Sequence, residues 1–215
     1  MEKIIPIYKP VGFSSFDIVK KFKKETGIIQ KVGHGGSLDP FACGVLLLLL
    51  GDATKKFEEI RKWKKTYLAG IRLGAFSSTQ DVSGSIEMFS CERVSLVQIR
   101  DILSNMSNKD TMQKVSPFSA AKHNGQPLYK FANKGIIIEK TKKIFLGNIE
   151  IISYKWPLLT IRVETSGGAY IRQLAEDFGL EAGCKSFVYF LERERVGEYN
   201  ISNCYKIDKL NNILN

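Results

Sequence analysis

The stretch KVGHGGSLDPFACGVLLLLLGDATK, residues 31–55, places an acid directly before a very apolar segment. A glycine-rich turn ends at one carboxylate, Asp39, which Pro40 follows directly, and an apolar run covers Val45–Leu50. Leucine does not favour strands by propensity, but the run is short and has a glycine on each side, which favours a buried strand over a helix. The sequence therefore predicts an acid in a cramped turn just before a fully buried strand.

Two interpretations of this acid stand side by side. Asp before Pro is a common turn starter, and Asp is a common cap, so the dipeptide alone favours a structural role. The neighbouring Gly33, Gly35 and Gly36 favour a site, because they let a bulky ligand approach the backbone. His34 lies among them, where a structural histidine has little apolar surface to join. A nucleobase fits such a loop.

Composition indicates a globular protein with a polyanionic partner. The chain has 215 residues, of which 44% are hydrophobic and 25% are charged, and its net charge is +10. Nucleic acid is favoured over an anionic membrane as the partner, and a lysine-rich soluble surface is the alternative. No apolar stretch reaches the ~18–20 residues of a membrane span, and the N-terminus does not resemble a signal peptide. We therefore expect no membrane association and a cytoplasmic location.

The four cysteines predict free thiols. None of them forms a C-x-x-C pair, and their wide spacing argues against a zinc site or a disulfide framework. Unpaired thiols fit a reducing cytoplasm, and most should be small core residues. They are Cys43, Cys91, Cys184 and Cys204.

Helical and strand patterns alternate along the chain. Helices are predicted over residues 14–27, 53–63, 95–106, 126–135 and 169–183, and strands over 45–50, 65–76, 142–154, 158–166 and 185–197. Ser14 with Asp17, and Ser95 with Gln98, have capping-box spacing. The short connections between strands predict an α/β (α+β) fold with a mixed, largely antiparallel sheet and helices packed on it. We expect one domain over residues 1–215.

Several reaction classes are not supported by any motif. The sequence contains no G-x-x-x-x-G-K-[ST] loop, no G-x-G-x-x-G fingerprint and no G-x-S-x-G elbow. Two histidines, without H-E-x-x-H spacing, do not build a His-rich metal site. A reaction that relies on a carboxylate, with no cofactor and no metal, fits what remains.

The glycine-rich stretch resembles the signature G-H-x-G-[ST]-L-D-P-x-A-x-G-V-L of the TruB family, the bacterial tRNA pseudouridine synthases that modify uridine 55 in the TΨC arm. Further segments resemble the family's elements in the family's order, and the likeness covers about residues 3–200. These segments are YKPVGFSS, KTYLAGIRLGAFSSTQDVSGSI, SPFSAAKHNGQPLYKFANKG, TSGGAYIRQLAEDFG and FLERERVGEY.

The resemblance implies the residues that do the chemistry. Asp39 matches the essential aspartate, and an Asp of ordinary pKa is ionised at neutral pH. The sequence leaves open whether this carboxylate attacks the base or the sugar, or removes a proton from the sugar. Arg172 would hold the carboxylate and keep it charged. Tyr67 would stack on the extruded uracil, and its hydroxyl would help take the proton from the base carbon.

The resemblance also implies substrate-binding residues. Tyr170 and Leu191 should line the same pocket, and Asp81 should orient Arg172, although a plain turn aspartate is nearly as good an interpretation. His34 is expected to fill the space that the extruded base leaves. Phosphate contacts are expected from basic residues, namely Lys9, Lys31, Lys122, Arg61, Lys62, Lys64 and Lys65.

Departures from the family pattern bear on RNA contact rather than on the chemistry. Family members usually carry a C-terminal PUA domain, and we expect this chain to lack it. Asn133 and Glu192 replace arginines of the family pattern. Gly35 replaces a frequent Thr, Cys43 replaces a Thr or Ser, and Ser78 replaces a frequent Asp. The substrate is expected to be the T-arm of tRNA, bound by a monomer that needs no protein partner.

Two rivals come from other classes of protein. A non-enzymatic RNA chaperone would keep the basic surface and His34 but would not need Asp39. The protein subunit of a guide-RNA particle is disfavoured, because the accessory domain of such subunits is not expected here.

Overall fold

A computed structural model describes residues 3–117, 119 and 121–208 of the chain. The chain divides into two compact units. The Asp39 unit comprises the described residues of 1–68, 164–168 and 190–215, and the Arg172 unit comprises those of 69–163 and 169–189. Each unit is described by itself.

The described residues contain both helices and strands. The helices are α1 Ser15–Thr26, α2 Phe57–Ile60, α3 Leu96–Met106, α4 Leu128–Ala132 and α5 Ile171–Glu181. The strands are β1 Lys3–Lys9, β2 Val32–His34, β3 Cys43–Leu50, β4 Lys65–Leu73, β5 Ala75–Ser77, β6 Ile86–Met88, β7 Lys109–Lys114, β8 Lys122–His123, β9 Gln126–Pro127, β10 Thr141–Lys155, β11 Leu158–Thr165, β12 Ser186–Val196, β13 Tyr199–Asn200 and β14 Tyr205–Lys206. Short 3-10 helices cover Gly51–Lys56 and Ile201–Asn203.

The predicted fold class is confirmed. Ten of the described strands form one mixed sheet, and two hairpins, β5–β6 and β8–β9, stand apart from it. Strand β3 pairs antiparallel with β1 and β2, and β10 pairs antiparallel with β7, whereas β3 runs parallel to β12 and β1 runs parallel to β14. The protein is therefore an α/β protein with a largely antiparallel sheet.

In the Asp39 unit the strand order is β14–β1–β3–β12–β4, and β3 is buried on both faces. Its even-numbered leucines, residues 46–50, pack in one cluster with Ile18 and Phe22 of α1. Its odd-numbered residues pack in a second cluster with Ala53 and Ile60. Since alternate side chains of a strand point to opposite faces, two cores require the continuous apolar run seen in the sequence.

Helix α1 forms as its sequence predicts. The Ser14 hydroxyl accepts a hydrogen bond from the Asp17 N–H at 3.1 Å, and the Asp17 carboxylate accepts one from the Ser14 N–H at 3.0 Å. Gly27 ends the helix in the left-handed conformation, with φ of 64°. This reciprocal capping fixes where the helix starts, which places Ser15 at its first position.

The Arg172 unit has the strand order β12–β4–β11–β10–β7, with helices α3 and α5 in contact with each other. The predicted strands over 142–154 and 158–166 are confirmed as β10 and β11. Strand β7 was not predicted, because its sequence KDTMQK is polar and mostly exposed.

The prediction that all four cysteines are free thiols is wrong for two of them. Cys91 and Cys184 form a disulfide within the Arg172 unit, with Cα atoms 5.6 Å apart. The two residues are 93 positions apart in sequence, so their proximity depends on the tertiary fold, which the spacing does not report. Cys43 and Cys204 are free.

Two helix boundaries also differ from prediction. The segment predicted as one helix over 53–63 is a 3-10 turn followed by the single turn α2. Pro127 is the N-cap of α4 rather than a residue of its first turn. Among the described residues, no helix is long and apolar enough to cross a membrane.

Candidate functional site

The loop that carries Asp39 is tied to α1 by Ser15. The buried Ser15 hydroxyl accepts a hydrogen bond from the Leu38 N–H at 2.8 Å and lies 3.2 Å from the Leu38 carbonyl, to which it donates. The Asp39 carbonyl then accepts from the Ala42 N–H at 3.1 Å. Backbone bonds on both sides of Asp39 thus hold a half-buried carboxylate at a defined place.

Arg193 holds the same loop from β12. Its side chain is buried, with 2% exposure, and its guanidinium donates to the carbonyls of Gly36 at 3.2 Å, Ser37 at 3.0 Å and Val45 at 2.7 Å. Gly44 lets the two strands meet here: its φ is 109°, and a Cβ on it would lie 2.3 Å from the Arg193 carbonyl oxygen. One buried cation therefore joins both ends of the Asp39 loop.

Sequence reasoning missed Arg193. The signal was present, because alternation along β12 places residue 193 on the same face as Leu191, and both are buried. A buried position for an arginine implies acceptors around its guanidinium, since an unpaired buried charge is very costly.

Lys9 does not have the role expected of it. Its exposure is 0%, and its ammonium donates to the backbone carbonyls of Phe13 at 2.8 Å and Pro10 at 3.0 Å. Burial lowers the pKa of Lys9 to about 8, which the negative charge of Asp39 partly opposes. The predicted contact of Lys9 with RNA phosphate is therefore wrong: Lys9 is a structural cation beneath the turn that follows β1.

Lys65 departs from prediction in the same way. It is 4% exposed, and its ammonium donates to the carbonyls of Arg61 and Trp63, each at 2.7 Å. Burial, followed by the charge of Arg193, lowers its pKa to about 7. The other basic residues of the cluster, Arg61, Lys62 and Lys64, are exposed, and two of them are paired with Glu58 and Glu164.

The buried Lys65 predicts that stability rises with pH. Its folded pKa lies below the value of ~10.4 in an unfolded chain, so the unfolded state binds more protons between these values. The protonated form is penalised in the fold, and the penalty is relieved as pH rises through about 7. The contribution of Lys65 to the free energy of unfolding should increase by about 1.4 kcal/mol per pH unit above that point.

Urea unfolding between about pH 7 and pH 9 measures this slope. Lys65→Met should remove the Lys65 part of the slope, whereas Lys62→Met, at an exposed neighbouring position, should leave it unchanged. Equal slopes in the two variants would contradict the assignment.

Three further predicted residues lie in the Asp39 unit. Tyr67 on β4 and Leu191 on β12 are both buried. His34 ends β2, and its buried Nδ1 has no hydrogen-bond partner among the described residues. Burial and the charge of Arg193 lower the pKa of His34, so its imidazole is neutral at pH 7.

Cys43 and Glu192, which both depart from the family pattern, are adjacent in space. The two residues are register partners on β3 and β12, and the Cys43 thiol lies 3.6 Å from the Glu192 carboxylate. The Tyr8 hydroxyl donates to the same carboxylate oxygen at 3.3 Å. The departure at Gly35 also has a local structural reason. A larger residue would not fit there, because a Cβ would lie 2.6 Å from Cγ2 of Ile60.

In the Arg172 unit, Arg172 and Asp81 form a buried ion pair. Nη1 of Arg172 lies 3.2 Å from Oδ2 of Asp81, and the two side chains are 6% and 5% exposed. The same Nη1 donates to the Thr79 carbonyl at 3.2 Å, while Oδ1 of Asp81 accepts from the Ser83 N–H at 2.8 Å. The predicted contact between the D-x-x-G turn and Arg172 is therefore present.

A network of amides fixes this turn against α5. Gln80, between the two residues that contact Arg172, has a φ of 66°, a conformation that non-glycine residues seldom adopt. Its side-chain amide donates to Gln173 at 3.0 Å and also to Glu176. Gln173 in turn donates to Asp177 at 2.8 Å, and burial raises the pKa of that carboxyl. Sequence reasoning missed this network, in which Gln80 reaches side chains 93 and 96 positions further along the chain.

The remaining predicted residues of this unit differ in exposure. Tyr170 is half-buried and is the N-cap of α5, two residues before Arg172. Lys122 is exposed on β8, and its carbonyl accepts a hydrogen bond from the Lys140 ammonium at 2.6 Å. The described residues contain no group of three or more His, Cys, Asp or Glu side chains that could hold a metal ion.

The chain matches known proteins over most of its length. The family model described as TruB family pseudouridylate synthase (N terminal domain) matches residues 23–171. A tRNA pseudouridine synthase B of Dehalococcoides mccartyi is 37% identical over 205 residues, covering 94% of this chain and 68% of the relative. The protein of the same name from Clostridium acetobutylicum is 39% identical over 213 residues, covering 98% of this chain and 73% of the relative.

A solved structure shares the fold. It is described as a Cbf5–Nop10–Gar1 complex, and the matched chain has a TM-score of 0.72 at 23% identity. The match covers 95% of this chain but 53% of that one, so this chain spans about half of it. The family model, which matches more than half of the chain, and the relatives show that this chain belongs to the TruB family of pseudouridylate synthases.

Proposed function

We propose that this protein converts uridine 55, in the T-loop of tRNA, into pseudouridine. The observation that carries the proposal is Asp39, a half-buried carboxylate on a loop that Ser15 and Arg193 hold from two sides. The names of the relatives, tRNA pseudouridine synthase B, support tRNA as the substrate. The net charge of +10 supports a polyanionic partner.

The reaction is an isomerisation and needs no net oxidation or reduction. The bond between N1 of uracil and C1′ of ribose breaks, the base turns over, and a bond forms between C5 and C1′. The hydrogen on C5 leaves as a proton, and N1 gains one. The ionised carboxylate of Asp39 acts on the uridine, and Tyr67 stacks on the base and assists removal of the C5 proton.

Arg172 is proposed to hold the Asp39 carboxylate charged during this reaction. Asp81 supports this role, because its buried carboxylate and the Thr79 carbonyl hold the guanidinium in one pose. An arginine held in one pose loses little conformational freedom when it binds a second anion.

Other residues are proposed to bind the extruded nucleotide and the RNA around it. Leu191 and Tyr170 line the uracil pocket. His34 fills the space that the base leaves, and a neutral imidazole suits this role because it enters a base stack without the cost of burying a charge. Lys122 and the exposed Lys31 and Lys62 contact phosphates.

We further propose that the protein acts as a monomer in the cytoplasm and needs no protein partner. The disulfide between Cys91 and Cys184 removes one argument for this location, because disulfides are rare in cytosolic proteins. The proposed location therefore rests on the tRNA substrate.

The proposed target is tested with two tRNA transcripts labelled with tritium at C5 of uridine. One transcript carries uridine at position 55, and the other carries cytidine there. We expect wild-type protein to release the tritium of one uridine per molecule from the first and none from the second. Equal release from both transcripts would move the target to another uridine, and no release from either would contradict the enzymatic proposal.

A further inference from the structure

The backbone of Tyr170 is held by a side chain from β7. The N–H of Tyr170 donates to Oε1 of Gln113 at 2.7 Å, and Nε2 of Gln113 donates back to the Tyr170 carbonyl at 2.9 Å. Gln113 is 2% exposed, so this two-point contact is shielded from water. The Tyr170 carbonyl also accepts the first helical bond of α5, from the Leu174 N–H at 3.1 Å.

The ring of Tyr170 is held from the neighbouring strand. The ammonium nitrogen of Lys142 on β10 lies 4.0 Å from the centre of the ring, within the range of a cation–π interaction. Lys142 is the register partner of Gln113 in the β7–β10 ladder. Directly opposite side chains of an antiparallel pair lie on the same face of the sheet, so one rung of this ladder reaches both the backbone and the ring of Tyr170.

The pair of Gln113 and Lys142 acts on the start of α5. The helix takes no capping hydrogen bond from the side chain of its N-cap residue, Tyr170, and Gln113 supplies the contact that fixes this residue instead. Arg172 is the second residue of the helix, so the direction in which its side chain leaves the backbone depends on where Tyr170 is held.

We infer that Gln113 and Lys142 are positioning residues for the pseudouridine synthase reaction, acting through Tyr170 and the first turn of α5. This inference rests on the proposed function. Gln113 fixes the backbone from which α5 starts, and Lys142 fixes the plane of the Tyr170 ring that meets the uracil. Because both act on geometry rather than on RNA affinity, their loss should slow the reaction and leave the tRNA Kd unchanged.

The test compares Lys142→Met with Lys142→Arg, which keeps a cation over the ring. At saturating enzyme, Lys142→Met should lower the single-turnover rate by about tenfold, the size of a partly buried cation–π contact, and Lys142→Arg should restore most of it. The matched control is Lys143→Met, the next residue of β10, whose exposed ammonium pairs with Asp110 at 2.7 Å. This control should keep the wild-type rate.

Three outcomes would overturn the inference. If Lys142→Met weakens tRNA binding, with a smaller salt dependence and an unchanged rate at saturation, Lys142 binds phosphate instead of positioning Tyr170. If neither the rate nor the Kd changes, the ring needs no positioning. In a Tyr170→Leu background, Lys142→Met should have no further effect on the rate, and an undiminished effect there would also count against it.

Gln113→Leu tests the backbone contact, and a protein-only measurement separates this inference from the proposed function. Gln113→Leu removes both hydrogen bonds and should slow turnover more than Lys142→Met does.

A urea double-mutant cycle on Lys142→Met and Tyr170→Leu detects the ring contact without RNA. If wild-type protein releases no tritium, the proposed function fails. The double-mutant cycle still tests the contact between Lys142 and Tyr170 in that case. Non-additive changes in the urea midpoint support the positioning of Tyr170, and additive changes overturn it.

Discussion

Asp39→Asn is expected to lower the single-turnover rate of pseudouridine formation by at least about 10⁴-fold, the range for loss of a nucleophile or general base. Asparagine has nearly the shape of aspartate but no charge to offer the uridine. The loop should keep its place, because its anchors are the backbone atoms held by Ser15 and Arg193. Tritium release under single-turnover conditions checks the loss of rate. The tRNA Kd, measured in parallel, checks that the loop keeps its place.

Asp52→Asn is the matched control. Asp52 is exposed, and its carboxylate pairs with Lys55 at the surface, so its loss should leave both the rate and the Kd as in wild type. The comparison also separates an enzyme from an RNA chaperone, because a chaperone would be indifferent to the change at Asp39. Comparable activity in the two variants would contradict the catalytic assignment.

The second large effect is expected at the buried pair of Arg172 and Asp81. Asp81→Ala leaves a buried guanidinium without its carboxylate, which should lower the free energy of unfolding by about 3–5 kcal/mol. The change also removes the acceptor of the Ser83 N–H, so the D-x-x-G turn should loosen. Asp81→Asn keeps an oxygen acceptor and should cost less. Urea unfolding of both variants measures the difference.

The reference for this comparison is Asp110→Ala. Asp110 pairs with Lys143, and both side chains are more than half exposed, so its loss should cost no more than about 1 kcal/mol. If the buried and the exposed aspartate cost the same, the burial of the Arg172–Asp81 pair would not matter for stability.

Local patterns predicted much of the fold. The capping box of Ser14 and Asp17 fixed the start of α1, and the apolar run Val45–Leu50 predicted the strand that two cores enclose. Each of these signals is local, because its residues lie within a few positions of one another and the geometry of a helix start or a strand makes them act together. The contact of Asp81 with Arg172 joins distant residues, and it was predicted from the family resemblance rather than from a local pattern.

Apart from the unpredicted strand β7 and two helix boundaries, the errors concern charges and thiols whose partners are distant in sequence or are backbone atoms. A lysine is ordinarily exposed, so nothing local marks Lys9 and Lys65 as buried donors to carbonyl groups. The disulfide of Cys91 with Cys184, and the contact of Gln113 with Tyr170, exist because the fold brings separate segments together. Sequence patterns therefore predicted the candidate acid and not the buried cations around its loop.

Locating pseudouridine on the tRNA tests most directly whether Asp39 makes this protein a uridine 55 synthase. A transcript is incubated with wild-type protein or with Asp39→Asn, treated with a carbodiimide that modifies pseudouridine, and copied by reverse transcriptase. We expect a strong stop next to position 55 after treatment with wild-type protein and none after treatment with Asp39→Asn. A missing stop with wild-type protein that binds the tRNA, or an equal stop with both proteins, would contradict it.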